Sequence, residues 1–200
     1  MHFIDKHTLQ LDKVLNELDL FVLDFVRMLE HYTDYVLISG YVAILLGRSR
    51  ATEDVDIFIR PFQKEQFLKF YRDLRDHGYW CLNGEDEEEL FSYLQEGLAL
   101  RFARDQQTIP NFEVKFAKKH LDELSFLDRI TVQTSKGNIF ISSLERQIAF
   151  KRYYLKSEKD LEDAAHLEKV FKEHLDRNLI AHYKQEIERH GKTQARKNQY

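Results

Sequence analysis

The sequence has little of what several protein classes need. It contains one cysteine, Cys81, so no disulfide bond can form within the chain. No His-x-x-x-His or Cys-x-x-Cys spacing supports a zinc site, and no Walker, Rossmann or Gly-x-Ser-x-Gly motif is present. No apolar run approaches membrane-spanning length, and the first residues lack the apolar core of a signal peptide. We therefore expect a cytoplasmic protein without a membrane partner.

A strong excess of positive or negative charge is also lacking. The chain has 30 Lys and Arg against 34 Asp and Glu, a formal net charge of −4. This balance gives no general basic footprint, so we expect no binding to long duplex DNA, although a local nucleic-acid contact stays open. The 200 residues suffice for one compact core with a helical appendage, and they indicate no oligomeric state.

The most informative stretch runs from Tyr35 to Arg60. An apolar run ends at Ile38, a turn follows at Ser39-Gly40, and the next apolar segment is closed by Gly47. This pattern predicts a strand, a tight turn and a short helix. Because the first N–H groups of a helix have no partner within it, the turn is predicted to bind an anion such as phosphate.

A second strand is predicted over Asp54-Val55-Asp56-Ile57-Phe58-Ile59. Successive side chains of a strand alternate between its faces, so Asp54 and Asp56 are expected to point the same way. Two carboxylates so close repel each other unless a cation lies between them, and magnesium is the natural occupant. A phosphate site beside metal-binding carboxylates indicates phosphoryl or nucleotidyl transfer.

A third carboxylate is a candidate for the same site. Two further strands are predicted, over Leu98 to Ala103 and over Phe112 to Phe116. If the second lies beside the Asp54 strand, Glu113 joins the carboxylate face and can orient and help deprotonate an attacking hydroxyl. The alternative is an exposed edge-strand glutamate paired with a lysine, and the sequence leaves both open.

The other informative stretch is a helix that begins near Ser143. Its apolar face contains one lysine, Lys151, which either extends its ammonium to solvent or reaches a bound triphosphate. Ser157 is predicted to cap the following helix. Asp160, near the start of that helix, then has either a structural role at the helix end or a functional one.

The remaining segments predict packing elements. A long amphipathic helix is expected from Leu9 to His31 and another from Lys64 to Arg75. A hairpin-like strand pair is expected from Ile130 to Ile141, and helices from there to the end of the chain.

Together these motifs resemble the signature of the DNA polymerase beta-like nucleotidyltransferase superfamily. SGYVAILLGRSRATEDVDIFI is similar to the form found in a small prokaryotic branch, which includes the nucleotidyltransferase toxins of abortive-infection toxin-antitoxin systems. The residues that match its pattern are Gly47, Arg50, Thr52, Asp54 and Asp56. The branch also has a lysine in a later helix and then a Lys-Asp element, here Lys151 and Lys159-Asp160. Ser39 departs from the usual glycine pair and stiffens the loop.

The resemblance implies an α+β fold, a minimal nucleotidyltransferase core whose mixed sheet is flanked by helices, followed by a C-terminal helical segment. We expect residues 1–141 to form this core with an N-terminal packing helix, and residues 142–200 to form the helical segment that closes the cleft.

The implied activity is transfer of a nucleoside monophosphate from a nucleoside triphosphate to an acceptor hydroxyl, with release of pyrophosphate. The acceptor is RNA such as a tRNA end, a protein or a small molecule. Two Mg²⁺ ions are expected on Asp54, Asp56 and Glu113, which with Lys151 make up the catalytic set. The nucleotide and its phosphates are expected on Ser39, Gly40, Arg50, Thr52, Lys159 and Asp160. The alternative is a catalytically reduced protein of the same fold that binds a nucleotide or a protein partner.

Overall fold

The computed structural model describes the backbone of residues 1–197 and the side chains of residues 1–189. The strands are β1 (His2–Asp5), β2 (Thr8–Gln10), β3 (Tyr35–Ile38), β4 (Asp54–Ile59), β5 (Tyr79–Cys81), β6 (Leu100–Arg104), β7 (Asn111–Phe116), β8 (Ile130–Thr134) and β9 (Gly137–Ile141). The helices are α1 (Glu17–Glu30), α2 (Ser39–Leu45), α3 (Lys64–Asp76), α4 (Glu87–Glu96), α5 (His120–Leu127), α6 (Leu144–Phe150), α7 (Glu158–Val170) and α8 (Arg177–Lys197). A π-helical turn, Lys151–Leu155, continues α6.

The strands form one mixed sheet in the order β1-β2-β8-β9-β3-β4-β7-β6-β5. The pairs β2 with β8, β3 with β9 and β4 with β7 are parallel, and the other pairs are antiparallel. Helices pack on the sheet, and three helices follow it in the chain. The predicted α+β fold with a C-terminal helical segment is confirmed.

One face of the sheet carries the main core. Val55, Ile57 and Ile59 alternate with polar residues along β4 and are at most 1% exposed. On this face Phe25 of α1 stacks on Phe112 of β7, with ring centroids 3.9 Å apart. Burial of such large rings removes much apolar surface from water, so this face anchors β4 and β7 firmly.

The opposite face of β4 and β7 is only partly covered. Here Val36 and Phe126 of α5 belong to a second, much smaller apolar cluster, against which Ile38 and Phe58 pack. Farther along the strands this face becomes polar, with Asp54 and Asp56 on β4. The polar part of the sheet therefore lies beside a small core instead of beneath the main one.

The N-terminal helix is shorter than predicted. Residues from Leu9 were expected to be helical, but residues 2–10 form β1 and β2, and α1 begins at Glu17 after a capping box at Asn16. Leu9 is fully buried because it pairs with Val132 of β8, and Val14 is 95% exposed. The apolar spacing of residues 9–15 thus came from a strand and a loop, so this part of the predicted packing helix is wrong.

The C-terminal elements agree with the sequence except at α5, which was not predicted. The expected hairpin is β8 and β9, Ser157 caps α7, and α6 begins just after the sheet. The division into residues 1–141 and 142–200 stays a prediction, and residues 198–200 lie outside the described part. No helix in the described backbone is both long enough and apolar enough to cross a membrane.

Candidate active site

Three carboxylates lie on the half-covered face of two neighbouring strands. β4 and β7 are parallel, and Asp56 is the register partner of Glu113. Asp54 lies two positions before Asp56, so all three side chains project from the same face of the sheet. We call these three residues the carboxylate face. The strand pairing on which the predicted triad depends is present, and β7 is an inner strand rather than the edge strand of the alternative.

The charges of the carboxylate face influence one another. The pKa of Asp56 is raised to about 6, chiefly by burial and in addition by the negative charges of Asp54 and Glu113. The Ser39 hydroxyl donates a hydrogen bond to Asp56, which opposes part of this effect. The positive charge of Lys115 lowers this pKa, but burial and the two carboxylates outweigh it.

Glu113 does have a basic partner, which the sequence did not reveal. Arg101 of β6 is the register partner of Glu113, and its Nε donates to Glu113 Oε1 over 2.8 Å. Its Nη2 lies 2.5 Å from the same oxygen. The alternative named a lysine, but the partner is this arginine. Only the pairing of β6 with β7 identifies it, because the two residues are distant in sequence.

No group of three or more His, Cys, Asp or Glu side chains in the described part of the chain is arranged to hold a metal ion. The carboxylate face nevertheless has the chemistry of a magnesium site, since carboxylate oxygens are the ligands this ion prefers. Glu113 is turned toward Arg101, which keeps the third carboxylate from converging with the other two.

The loop before β4 is held by a buried cluster of opposite charges. Arg50 donates two hydrogen bonds to Asp163 of α7, from Nε over 3.0 Å and from Nη2 over 2.8 Å. Lys151 donates to Asp163 over 2.9 Å and to Asp160 over 3.2 Å. We call Arg50, Lys151, Asp160 and Asp163 the ion-pair cluster. It connects the loop before β4 to the C-terminal helices.

Both acids of the cluster are buried, and Asp163 is fully so. Burial alone would raise the pKa of Asp163, but the hydrogen bonds from Arg50 and Lys151 outweigh it and lower the pKa below its ordinary value. The bond to Asp163 in turn raises the pKa of Arg50. Lys151 is 1% exposed, so it does not extend its ammonium to solvent as the simpler interpretation expected.

The turn at Ser39-Gly40 combines a serine in a left-handed conformation with a glycine that lies against Arg50. Ser39 has φ 64°, a left-handed conformation that costs a non-glycine residue about 1 kcal/mol. A Cβ on Gly40 would lie 2.6 Å from Arg50 Nη2. A larger residue at this position would therefore displace the Arg50 guanidinium, which Asp163 holds in place.

Three predicted phosphate-binding residues have other surroundings. Thr52 Oγ1 donates to the Asp54 carboxylate over 3.1 Å and so braces that side chain. Lys159 is exposed and does not line the cavity described below. Asp160 accepts a hydrogen bond from the Ser157 hydroxyl as well as from Lys151.

A cavity of about 560 Å³ joins the two charged regions. Asp56 and Glu113 lie on its floor, while Ser39 and Lys151 line its wall. Asp56 and Glu113 from two strands and Lys151 from a distant helix thus line one cavity, whereas Asp54 does not line it. The cavity is also lined by residues that the sequence did not single out: Lys115, Lys118, Lys119, Asp122 and Arg146.

The fold of the chain was compared with those of known proteins. No family model matches the chain, and no curated protein matches it. Among solved structures, the antibiotic-resistance factor ANT(2'')-Ia matches with a TM-score of 0.54 at 10% identity, over 91% of this chain and 100% of that one. An antigenic nucleotidyltransferase-like protein from Paracoccidioides brasiliensis matches with a TM-score of 0.51 at 17% identity, over 78% of each chain. The chain has a nucleotidyltransferase fold. At these identities the likeness concerns the fold alone.

In this nucleotidyltransferase fold, the carboxylate face lies on the central strands and the ion-pair cluster lies where the C-terminal helices meet the loop before β4. The roles predicted for the individual side chains stay predictions. Arg101 and the lysines of the cavity were missed because strand order determines what they approach, although the alternation of Glu113 and Lys115 along β7 was a usable signal.

Proposed function

We propose that the protein transfers a nucleoside monophosphate from a nucleoside triphosphate to an acceptor hydroxyl and releases pyrophosphate. The observation that carries the proposal is that Asp54, Asp56 and Glu113 share one face of the sheet, and that Asp56 and Glu113 line a cavity that Lys151 also lines. The nucleotidyltransferase fold agrees with this chemistry.

Divalent magnesium fits the carboxylate face. Burial and the negative charges of Asp54 and Glu113 raise the pKa of Asp56, and the neighbouring Lys115 offsets this only in part. Asp54 and Asp56 would hold the metal, and Glu113 would join them after leaving Arg101. Bound Mg²⁺ supplies stabilisation of charge on the phosphoryl oxygens and lowers the pKa of the attacking hydroxyl. Two ions fit the three-carboxylate set.

The side chains of the cleft perform the remaining tasks. Glu113 orients the acceptor hydroxyl and accepts its proton as the oxygen bonds to the α-phosphorus. The bond between the α-phosphorus and the bridging oxygen breaks, and pyrophosphate leaves with the electron pair. Lys151 and Arg50 attract the leaving phosphates, while Asp160 and Asp163 hold these two cations in place.

The test is labelling of an acceptor. The protein is incubated with Mg²⁺ and each nucleoside triphosphate labelled at the α-phosphate, with pools of tRNA, protein and small molecules as acceptors. We expect label in one pool, none after metal chelation, and none with Asp54→Ala and Asp56→Ala combined. A control with Glu88→Ala and Glu89→Ala, in the exposed acidic run of α4, should keep full activity. Equal labelling by the Asp54→Ala, Asp56→Ala protein would refute the proposal.

Two observations favour a second candidate, a protein of this fold that binds a nucleotide without turnover. Arg101 forms an ion pair with Glu113, and Ser39 has a strained backbone at the position where the branch that this chain resembles has glycine. Calorimetric binding of a nucleoside triphosphate, together with failure to label any acceptor, would establish this alternative. A role in a toxin-antitoxin pair is compatible with either chemistry, and a neutralising partner encoded beside this protein would test it.

A further inference from the structure

Three lysines form a second group of cations in the cavity. Lys115 follows Glu113 by two positions on the same face of β7, where it pairs with Phe58 of β4. Same-face neighbours along a strand are about 6.6 Å apart, so Lys115 lies one step beyond Glu113. Lys118 and Lys119 come directly after the strand, and all three lysines line the cavity.

This group lies on the far side of the carboxylates from the ion-pair cluster. β3 is antiparallel to β4, and Ile38 pairs with Asp56, so the chain continues through Ser39 and Gly40 toward the Asp54 end of β4. Arg50 lies against Gly40 at that end. Lys115 lies toward the opposite end, at the level of Phe58. The metal-binding carboxylates therefore separate two cationic groups.

The two groups differ in charge balance. In the ion-pair cluster, Asp160 and Asp163 neutralise Arg50 and Lys151. By contrast, no carboxylate of the described residues lies within 4.0 Å of the ammonium group of any of the three lysines. This local excess of positive charge stands out in a chain whose formal net charge is −4.

The neighbours of the lysines do not cancel this excess. The Lys118 ammonium donates to the carbonyl oxygen of Gln95, which carries no charge. Asp122 is the acid in the cavity wall beside them, and its carboxylate accepts from the backbone N–H of Lys119 over 3.2 Å. Asp56 also lines the cavity, and the charge of Lys115 acts on it. Three positive charges thus face the carboxylates of Asp56 and Asp122, and the remaining positive charge attracts an anion.

We propose that Lys115, Lys118 and Lys119 bind a phosphate group of the acceptor, so that the acceptor of the proposed reaction is a phosphorylated compound. Its hydroxyl reaches Glu113 while its phosphate lies on the lysines, one strand step away. The donor triphosphate then lies on the other side of the carboxylates, toward Arg50 and Lys151. This inference rests on the proposed function, and it selects a phosphate-bearing acceptor over a neutral one.

The experiment measures binding without turnover. The test variant carries Lys115→Gln, Lys118→Gln and Lys119→Gln together. A matched control makes the same charge change at three exposed lysines outside the cavity: Lys6→Gln, Lys69→Gln and Lys172→Gln. The probe is a short fluorescein-labelled single-stranded RNA with a free 3′ hydroxyl, followed by fluorescence anisotropy over a series of salt concentrations without metal or nucleoside triphosphate. Adenosine 5′-monophosphate is the competitor, and calorimetry measures ATP binding.

We expect the test variant to bind the RNA about tenfold more weakly at low salt. Its slope of log affinity against log salt should be shallower by about 0.7 if the three lysines share one phosphate, and by up to about 2 if each contacts its own, because each phosphate contact on a single strand contributes about 0.7. The control variant should match the wild type. ATP binding should remain within about twofold in both variants, because the inferred donor site lies on the other side of the carboxylates.

Several results would overturn the inference. These are unchanged RNA binding in the test variant, an equal loss in the control, no binding of RNA or adenosine monophosphate by the wild type, or a parallel loss of ATP binding that assigns the lysines to the donor. Competition by the monophosphate supports a small phosphorylated acceptor, and RNA binding without competition supports a strand end.

The same measurements separate this inference from the proposed function. RNA binding that depends on the lysines, in a protein that labels no acceptor, refutes only the proposed transfer. Labelling of an unphosphorylated acceptor, equally by the test variant and the wild type, refutes only the phosphate subsite.

Discussion

The carboxylate face and the ion-pair cluster differ in how their charges are paired. On the carboxylate face, like charges are held together by strand geometry, and the pKa of Asp56 rises to about 6. In the ion-pair cluster, two cations and two acids are bonded to one another, and the pKa of Asp163 falls. The acids of the second region are paired with cations, whereas Asp54 and Asp56 form no ion pair within the described residues. We therefore propose that the first region binds the metal and that the second, in the absence of ligand, connects parts of the fold.

The largest expected effect on stability comes from disrupting the ion-pair cluster. Asp163→Ala removes the acid shared by Arg50 and Lys151 and leaves buried cations without their partner, which we expect to cost about 3–5 kcal/mol of unfolding free energy. Urea denaturation measures this loss. The control is Glu162→Ala on the same helix, whose pair with Arg48 is more exposed and is worth under about 1 kcal/mol. A loss in Asp163→Ala no larger than that of the control would contradict a stabilising role for the cluster.

On the carboxylate face, by contrast, we expect a substitution to increase the free energy of unfolding. The pKa of Asp56 is about 6 in the folded protein against 3.8 ordinarily, so the folded state binds more protons and loses stability as the pH rises between these values. Asp56→Asn removes this penalty. Without metal, the variant should gain at most about 3 kcal/mol near neutral pH, and the gain should shrink as the pH falls toward about 4. A gain that does not change with pH would contradict the explanation.

A smaller effect tests how the turn joins the two regions. Gly40→Ala places a methyl group 2.6 Å from Arg50 Nη2, and this guanidinium is held by Asp163. We expect a loss of about 1–3 kcal/mol from this overpacking. In an Arg50→Ala background the same change should cost much less, and denaturation of the four proteins gives this coupling. Additive losses would mean that Arg50 and Gly40 are independent.

The smallest effect concerns the strained turn residue. Ser39→Ala and Ser39→Gly both remove the hydroxyl that bonds Asp56, but only glycine accepts φ 64° without strain. We therefore expect the glycine variant to be more stable than the alanine variant by about 1 kcal/mol. Thermal unfolding compares them, and equal stabilities would show that the backbone at this position is unstrained.

The sequence revealed one of these regions better than the other. Alternation along β4 suffices to place Asp54 and Asp56 on one face, because the period of a strand is a local property. The bond between Arg50 and Asp163 joins residues 113 positions apart, and local patterns carry no information about such a contact. Lys151 was recognised as unusual in an apolar stripe, but its partners depend on how α7 folds back.

Strand order explains the other differences. Glu113 was placed beside Asp56 only conditionally, since the sequence does not determine that β7 lies between β4 and β6. The same order brings Arg101 onto Glu113, which no motif indicated. Near the N-terminus, Leu9 and Leu11 matched a helical period although Leu9 lies in β2 and Leu11 follows it, because a buried strand and the loop after it can mimic one turn of an amphipathic helix.

Direct measurement of divalent metal binding tests the central claim most sharply. Mn²⁺, used in place of Mg²⁺, can be followed by electron paramagnetic resonance without nucleotide or turnover. The account predicts binding by the wild type, and at least about tenfold weaker binding by the variant with Asp54→Asn and Asp56→Asn, each lost carboxylate removing a ligand. The matched variant with Glu88→Gln and Glu89→Gln should bind as the wild type does. Equal Mn²⁺ affinity in all three proteins would contradict the assignment of the carboxylate face as a metal site.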